Sequence, residues 1–231
     1  MKRKVLIFSK IEYLNLLPFN VFAKKHTSAR FNKIASYKSS YPSKINKAFK
    51  KRQIDGAFIS SIHSKKCSKR KANCHCSDIG IIAPKEVLSV LIKSDINTQK
   101  DPQSDTSNML ANILNQKGQV IIGDNALKIY FDENYKKEDY GDLAYIWYEK
   151  YHLPFVFARF CFTSHNKFYQ KLSSKFKNQK TPIPSYILKK EASRVGISIQ
   201  EAKYYLSKIE YKLNYKSKKS LKLFIRLSKT R

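Results

Sequence analysis

The 231-residue chain lacks the features that mark several large functional classes. No apolar run approaches the roughly 18 residues that cross a bilayer, so no membrane insertion is expected. The four cysteines, Cys67, Cys74, Cys76 and Cys161, are too few and too clustered for a disulfide framework in a chain this long, and they suit a reducing cytosol. The basic N-terminus turns polar at Lys10 and Glu12 after a brief apolar stretch, so it has no export-signal core and a cytoplasmic location is expected. No Gly-rich phosphate loop, Ser-His-Asp motif or catalytic metal signature occurs, which removes support from the common hydrolase and nucleotide chemistries. Acidic residues are scarce as well: 17 Asp and Glu against 46 Lys and Arg give a formal charge of +29. Yet only eight of those cations are arginine, the side chain that reads phosphate bidentately, and the lysines are spread through every segment. Nucleic acid is therefore not expected as the primary partner, although the charge would attract small anions.

What is present is a pattern of short apolar runs separated by helical stretches. VLIFS (5–9), KIASYK (33–38), GAFIS (56–60), DIGIIA (78–83) and VLSVLIK (87–93) read as strands, and the alternation argues an α/β fold. SKINKAFKKR (43–52) reads as a basic amphipathic helix capped by Ser43. After Lys93 the composition turns polar, then a helix is expected from Met109 to Gln116, a strand at 119–123, helices at 124–130 and 141–151, and a returning strand at 154–162. The remainder reads as helical, with Ser198 and Glu201 spaced as a capping box in one helix running to about Tyr215, and a last basic helix from Ser217 to about Leu227. Two crossings between halves describe a two-lobed solute-binding architecture: lobe I from 1–92 with 160–231, lobe II from 93–159, the ligand between them.

The N-terminal run KVLIFSKIEYLNLLPF places Tyr13 and Asn15 in a loop after an apolar segment, where open α/β sheets bind ligands, and Pro18 fits the first turn of the next helix. Thr106, Ser107 and Asn108, with Ser104 just before them, cluster at a helix start, either as an anion cradle or as an ordinary cap. Gly123 and Asp124 repeat the theme, Asp124 as a cap. Ser60 and Ser61 follow a strand and offer hydroxyls, and Ser89 faces core or cleft. His63, Cys67, Cys74, His75 and Cys76 raise zinc, but no C-x-x-C pair exists; the segment reads as an exposed basic loop, and no metal is expected. Trp147 and its neighbouring tyrosines read as core packing.

Six ordered blocks then carry a family resemblance: YLNLLPF (13–19), DGAFISSI (55–62), SVLIKS (89–94), TSNMLANIL (106–114), VIIGDNALK (120–128) and LPFVFARF (153–160). Together they resemble chorismate dehydratase, the first enzyme of the futalosine route to menaquinone, over about residues 4 to 162, with a C-terminus similar to the epsilonproteobacterial branch. The resemblance implies a type II periplasmic-binding-protein-like fold used as a cytosolic carbon–oxygen lyase. It would remove water from chorismate to give 3-[(1-carboxyvinyl)oxy]benzoate without a cofactor. By the same resemblance Asn15 is the catalytic position, either taking the proton itself or orienting a substrate whose own carboxylate takes it. Ser89 and the 106–108 helix start are expected to line the cleft, and Arg159 is a candidate carboxylate clamp. His63 departs from relatives that often carry an acidic residue there. A non-catalytic dicarboxylate-binding protein and the sister dihydroxynaphthoate synthase stay open as alternatives, as does the oligomeric state.

Overall fold

The computed structural model describes residues 6–68, 73–94 and 97–230. Two antiparallel sheets organise them. The larger is built from β1 (Gly56–Ser60), β2 (His75–Ala83), β6 (Phe155–Phe162) and β7 (Glu210–Lys212) in the order β1-β6-β2-β7. The smaller contains β3 (Val90–Lys93), β4 (Gln119–Ile122) and β5 (Tyr140–Asp142) in the order β4-β3-β5. Around them pack α1 (Leu17–His26), α2 (Ala29–Tyr37), α3 (Pro42–Lys50), the single turn α4 (Ser61–Ser64), α5 (Asp105–Ile113), α6 (Gly123–Tyr130), α7 (Leu143–Tyr151), α8 (Asn166–Asn178), α9 (Ser185–Val195), α10 (Ile199–Ser207) and α11 (Tyr215–Leu227).

The buried strands read as continuous apolar runs because both faces are covered; all five residues of β1 are buried. Phe19 of α1 seats its ring against Phe58 of β1, Phe160 of β6 and Phe176 of α8, so one aromatic ties helix and sheet layers together. Trp147 is fully buried between Phe155 and Phe224, and its indole N–H donates to Ser220 Oγ at 3.0 Å, the core role expected of it.

Local sequence misled at several places: VLSVLIK is a strand only from Val90, and Gly141, expected in a helix, lies in β5, with α7 starting at Leu143. KIASYK is not a strand but the end of α2, because Ser28 caps the helix through the Phe31 N–H and Phe31 and Ala35 bury one helical face. The first apolar run makes only a parallel bridge, Phe8 to Gly56, and its Val5 lies outside the described residues. Ser43 does not cap α3, which begins at Pro42; its hydroxyl donates to the Pro102 carbonyl instead. The long helix expected from Ser198 keeps its capping box but stops at Ser207, and Glu210–Lys212 pairs with β2, leaving a three-residue strand at that sheet edge and burying Ile209 and Leu213.

Candidate functional site

A narrow cleft, partly open to solvent, lies where the two sheets face each other. The larger sheet contributes Phe58, Ile81, Phe157 and Ala158; the smaller side contributes Ser89, Val90, Ile122 and Gly123. The loop carrying Tyr13, Asn15 and Leu16 closes one end, and the start of α5 brings Ser104 and Ser107.

Asn15 sits in a 3-10 turn, Leu14–Leu16, stacked directly onto α1, whose early proline is where the sequence placed it. Two tyrosines from the C-terminal segment, Tyr205 buried and Tyr211 half-buried, hold this turn. The Tyr211 hydroxyl donates to the Asn15 carbonyl at 2.6 Å, and the Tyr205 hydroxyl donates to Ser89 Oγ at 2.9 Å while the Asn15 side chain hydrogen-bonds it. Burial drives the Tyr205 phenol well above its ordinary value, more strongly than these hydrogen bonds lower it. Tyr205 therefore stays a neutral phenol that couples Asn15 and Ser89 rigidly.

Ser89 is aimed by a kink. Leu88 has φ +59°, and the Val87 and Leu88 N–H groups both donate to Asp142 Oδ2, at 2.8 and 2.7 Å. The other Asp142 oxygen caps α7 by accepting from Ala144 and Tyr145. Burial pushes the Asp142 carboxyl up to about 6, against the pull of these four donors.

Two helix starts meet the cleft, at Ser107 in α5 and Gly123 in α6. Ser104 caps α5 through the Ser107 N–H and donates its hydroxyl to Ser107 Oγ, so the pair acts as one unit. Each first turn also carries an acid that would repel an anion, and each acid is engaged by a basic side chain. Asp105 Oδ2 lies 2.6 Å from His63 Nε2, and Asp124 Oδ2 takes a 2.7 Å bond from Arg194 Nη1. Arg194 also donates to Glu191 and to the Glu12 carbonyl, tying α9 to the entry loop.

The structure thus gathers Tyr13, Asn15, Ser60, Ser89, Ser107 and Gly123 into one cleft. Asn46 fixes Ser60 by donating to its hydroxyl and accepting its N–H. Tyr13 donates to Gln103, and burial, then Asp101 and Asp124, raise its phenol. Five expected residues do other work. Ser61 donates to the Val156 carbonyl, Thr106 accepts the Ile62 N–H, and Asn108 pairs with both backbone groups of Asp101, so all three are spent on packing loops together. Asp124 is not the cap of α6 but accepts the Leu14 N–H beside Arg194. Arg159 lies on β6 next to the lining residues Phe157 and Ala158 but does not itself line the cleft; burial lowers its guanidinium below the ordinary value, with the Asp78 charge opposing. Tyr205, Tyr211, Asn46 and Arg194 were not found from sequence; each works through a partner distant in the chain, and no local pattern marks such a pair.

Gly123 has φ +64°, and a Cβ there would meet the Tyr13 ring at 2.9 Å. Gly123→Ala is expected to press on Tyr13 and weaken ligand binding by at least about tenfold, with roughly 1 kcal/mol of strain, read by calorimetry and thermal melting.

The cysteines also depart from expectation. Cys67 is bonded to Cys74 and Cys76 to Cys161, which leaves none free. Cys76 and Cys161 are direct partners across β2 and β6, a proximity invisible in a separation of 85 residues. Residues 69–72 of the expected basic loop lie outside the described residues. Among the described residues no helix is long and apolar enough to cross a membrane.

A family model described as menaquinone biosynthesis matches residues 99–230. The chain is 43% identical to a chorismate dehydratase of Campylobacter jejuni subsp. jejuni serotype O:23/36 (strain 81-176) over 97% of its own length and 98% of the relative's. In structure it is similar to an Archaeoglobus fulgidus protein, at TM-score 0.68 and 11% identity with 97% of each chain covered. It is also similar to the alkanesulfonate-binding protein of Xanthomonas axonopodis pv. citri, at TM-score 0.54 and 12% identity over 97% of this chain and 91% of that one. These likenesses establish the expected α/β, periplasmic-binding-protein-like fold.

Proposed function

The chain belongs to the chorismate dehydratase family, and from that premise we propose that its cleft eliminates water from chorismate, as a carbon–oxygen lyase acting in the cytoplasm on the futalosine route to menaquinone. One observation carries the mechanism: Asn15 shares a single cleft with the starts of α5 and α6. Chorismate presents two carboxylates. The Ser104 and Ser107 hydroxyls at one helix start and the start of α6 at the other, where the Gly123 N–H is already given to the Ser89 carbonyl, suit one carboxylate each, since both present a positive dipole end. Phe58 and Phe157 supply apolar walls for the ring.

The reaction takes a proton from the carbon bearing the enolpyruvyl ether and expels hydroxide from its neighbour as water, leaving an aromatic ring. Among the described residues, none that lines the cleft carries a carboxylate, imidazole or amine, and the one ionisable side chain there, Tyr13, has its phenol raised. An amide is too weak a base to fill that gap. The proton acceptor is therefore best assigned to the substrate's own side-chain carboxylate, with Asn15 and Ser89, locked by Tyr205, holding it against the reacting carbon. Acid–base chemistry of this kind needs no cofactor. The lobes, residues 1–92 with 160–231 and residues 93–159, would close over the substrate and exclude water.

Mixing purified protein with chorismate and following loss of the diene absorbance together with product mass tests this reading. A product lighter by one water supports it; unchanged chorismate with binding retained would move the case to a receptor or to the sister synthase. Ser107→Ala is expected to raise KM by about tenfold with kcat within about threefold, because a contact made equally in ground and transition states changes binding alone.

A further inference from the structure

All four cysteines of the chain come together in one place, outside the cleft lining. Cys76 on β2 faces Cys161 on β6, Cys67 lies in the turn after α4, and Cys74 stands just before β2. The sulfurs of Cys67, Cys76 and Cys161 lie within 4.8 Å of one another, and Cys74 is bonded to Cys67, so both disulfides belong to a single sulfur cluster. Two independent crosslinks each require only their own pair, and nothing in their chemistry draws the pairs together. A tetrahedral thiolate site does: metal–sulfur bonds of about 2.3 Å put the four sulfurs roughly 3.8 Å apart.

We propose that, once both disulfides are reduced, Cys67, Cys74, Cys76 and Cys161 bind one zinc ion as a closed, structural tetrathiolate site. Four thiolates around a divalent ion carry a net charge of −2, and Lys50 and Arg52 line the pocket beside Cys67 and Cys74. Such cations lower thiol pKa values and offset that charge. Cys161 is fully buried and the other three are partly buried, so the site is shielded from bulk solvent without being closed off. His63 is engaged by Asp105, which leaves sulfur as the donor set. An all-sulfur set suits zinc over harder divalent ions. The C-x-C spacing of Cys74 and Cys76 argued against a metal only while the other two ligands were unknown; the fold supplies them from elements on either side. In balance, each disulfide takes two electrons and two protons from a dithiol, which becomes a disulfide itself. Zinc then displaces four thiol protons and forms four Zn–S bonds. The ion would fasten the loop after α4 to the β2–β6 pair, and so support β1, whose Ala57 also pairs with Cys161.

The test is metal content. Full-length protein is reduced anaerobically with dithiothreitol, given one equivalent of zinc sulfate, freed of both by gel filtration, and assayed for zinc and for reactive thiols. One zinc per chain is expected, with thiols that react only after a chelator is added. Cobalt exchange should produce sulfur-to-cobalt charge-transfer absorption. Since Cys161→Ser removes a core residue, Cys74→Ser at the loop is the informative variant: it should fold, bind zinc at least roughly tenfold more weakly, and lose the chelator-induced drop in melting temperature. Four freely reactive thiols without zinc, disulfides that persist under the dithiol, an iron–sulfur chromophore, or undiminished zinc in Cys74→Ser would each overturn the proposal.

Discussion

Asn15→Ala is expected to lower kcat for chorismate by about 10²- to 10⁴-fold, the range typical for losing a group that governs a proton transfer, while KM moves by no more than a few fold. The expectation follows from where the side chain sits. Asn15 lies on a 3-10 turn whose carbonyl is anchored by Tyr211 and whose amide meets Tyr205, itself bonded to Ser89. The amide is thus one rigid corner of the cleft, where small displacements of the reacting atoms are costly. Steady-state kinetics beside a direct binding measurement separates the roles. An equal loss of binding and turnover would reduce Asn15 to an ordinary substrate contact. Tyr205→Phe, which keeps the packing and removes the bridging hydroxyl, should reproduce part of the kcat loss if rigidity is what matters.

Asp142→Ala should have the largest effect on stability, about 3 kcal/mol or more, read by denaturant unfolding. It removes the α7 cap, worth about 1 kcal/mol, and leaves the Val87 and Leu88 N–H groups without their acceptor, at about 1–3 kcal/mol each. The damage should reach function, because those two groups hold the left-handed Leu88 kink that aims Ser89. The same carboxyl predicts a pH dependence. Burial raises it to about 6 in the folded chain from an ordinary 3.8, so the folded state binds its proton more tightly than the unfolded one. Stability from that proton is fully present below about pH 4 and is lost as pH rises through about 6, by up to roughly 3 kcal/mol. Asp142→Asn has no such proton, so wild type should lose stability relative to this variant between pH 4 and 7. A constant difference would show that the four N–H donors outweigh burial.

The sequence alone determined the parts of this protein that depend on neighbours within a few residues. GAFIS is β1 to the residue, the Ser198–Glu201 capping box holds, and Trp147 is core. Those features follow from backbone preference and periodicity, which act locally. The six ordered blocks also sufficed for the family resemblance, since a series of short matches in fixed order survives divergence elsewhere. Tertiary structure decided everything that depends on distant residues meeting. KIASYK has strand-like composition, yet a capping Ser28 and one buried face make it helix. Thr106 and Ser107 are adjacent and chemically alike, but a helix turns successive residues by about 100°, so one bonds the Ile62 N–H and the other lines the cleft. Arg159 suggested a clamp by charge alone, and on β6 it stands beside the lining residues Phe157 and Ala158 without lining the cleft itself. Tyr205 reaches Ser89 across 116 residues, and Cys161 reaches Cys76 across 85, because sheet pairing and helix docking set those distances. Side-chain chemistry is written in the sequence; which side chains share a volume is settled only when the two sheets and the C-terminal helices close around it.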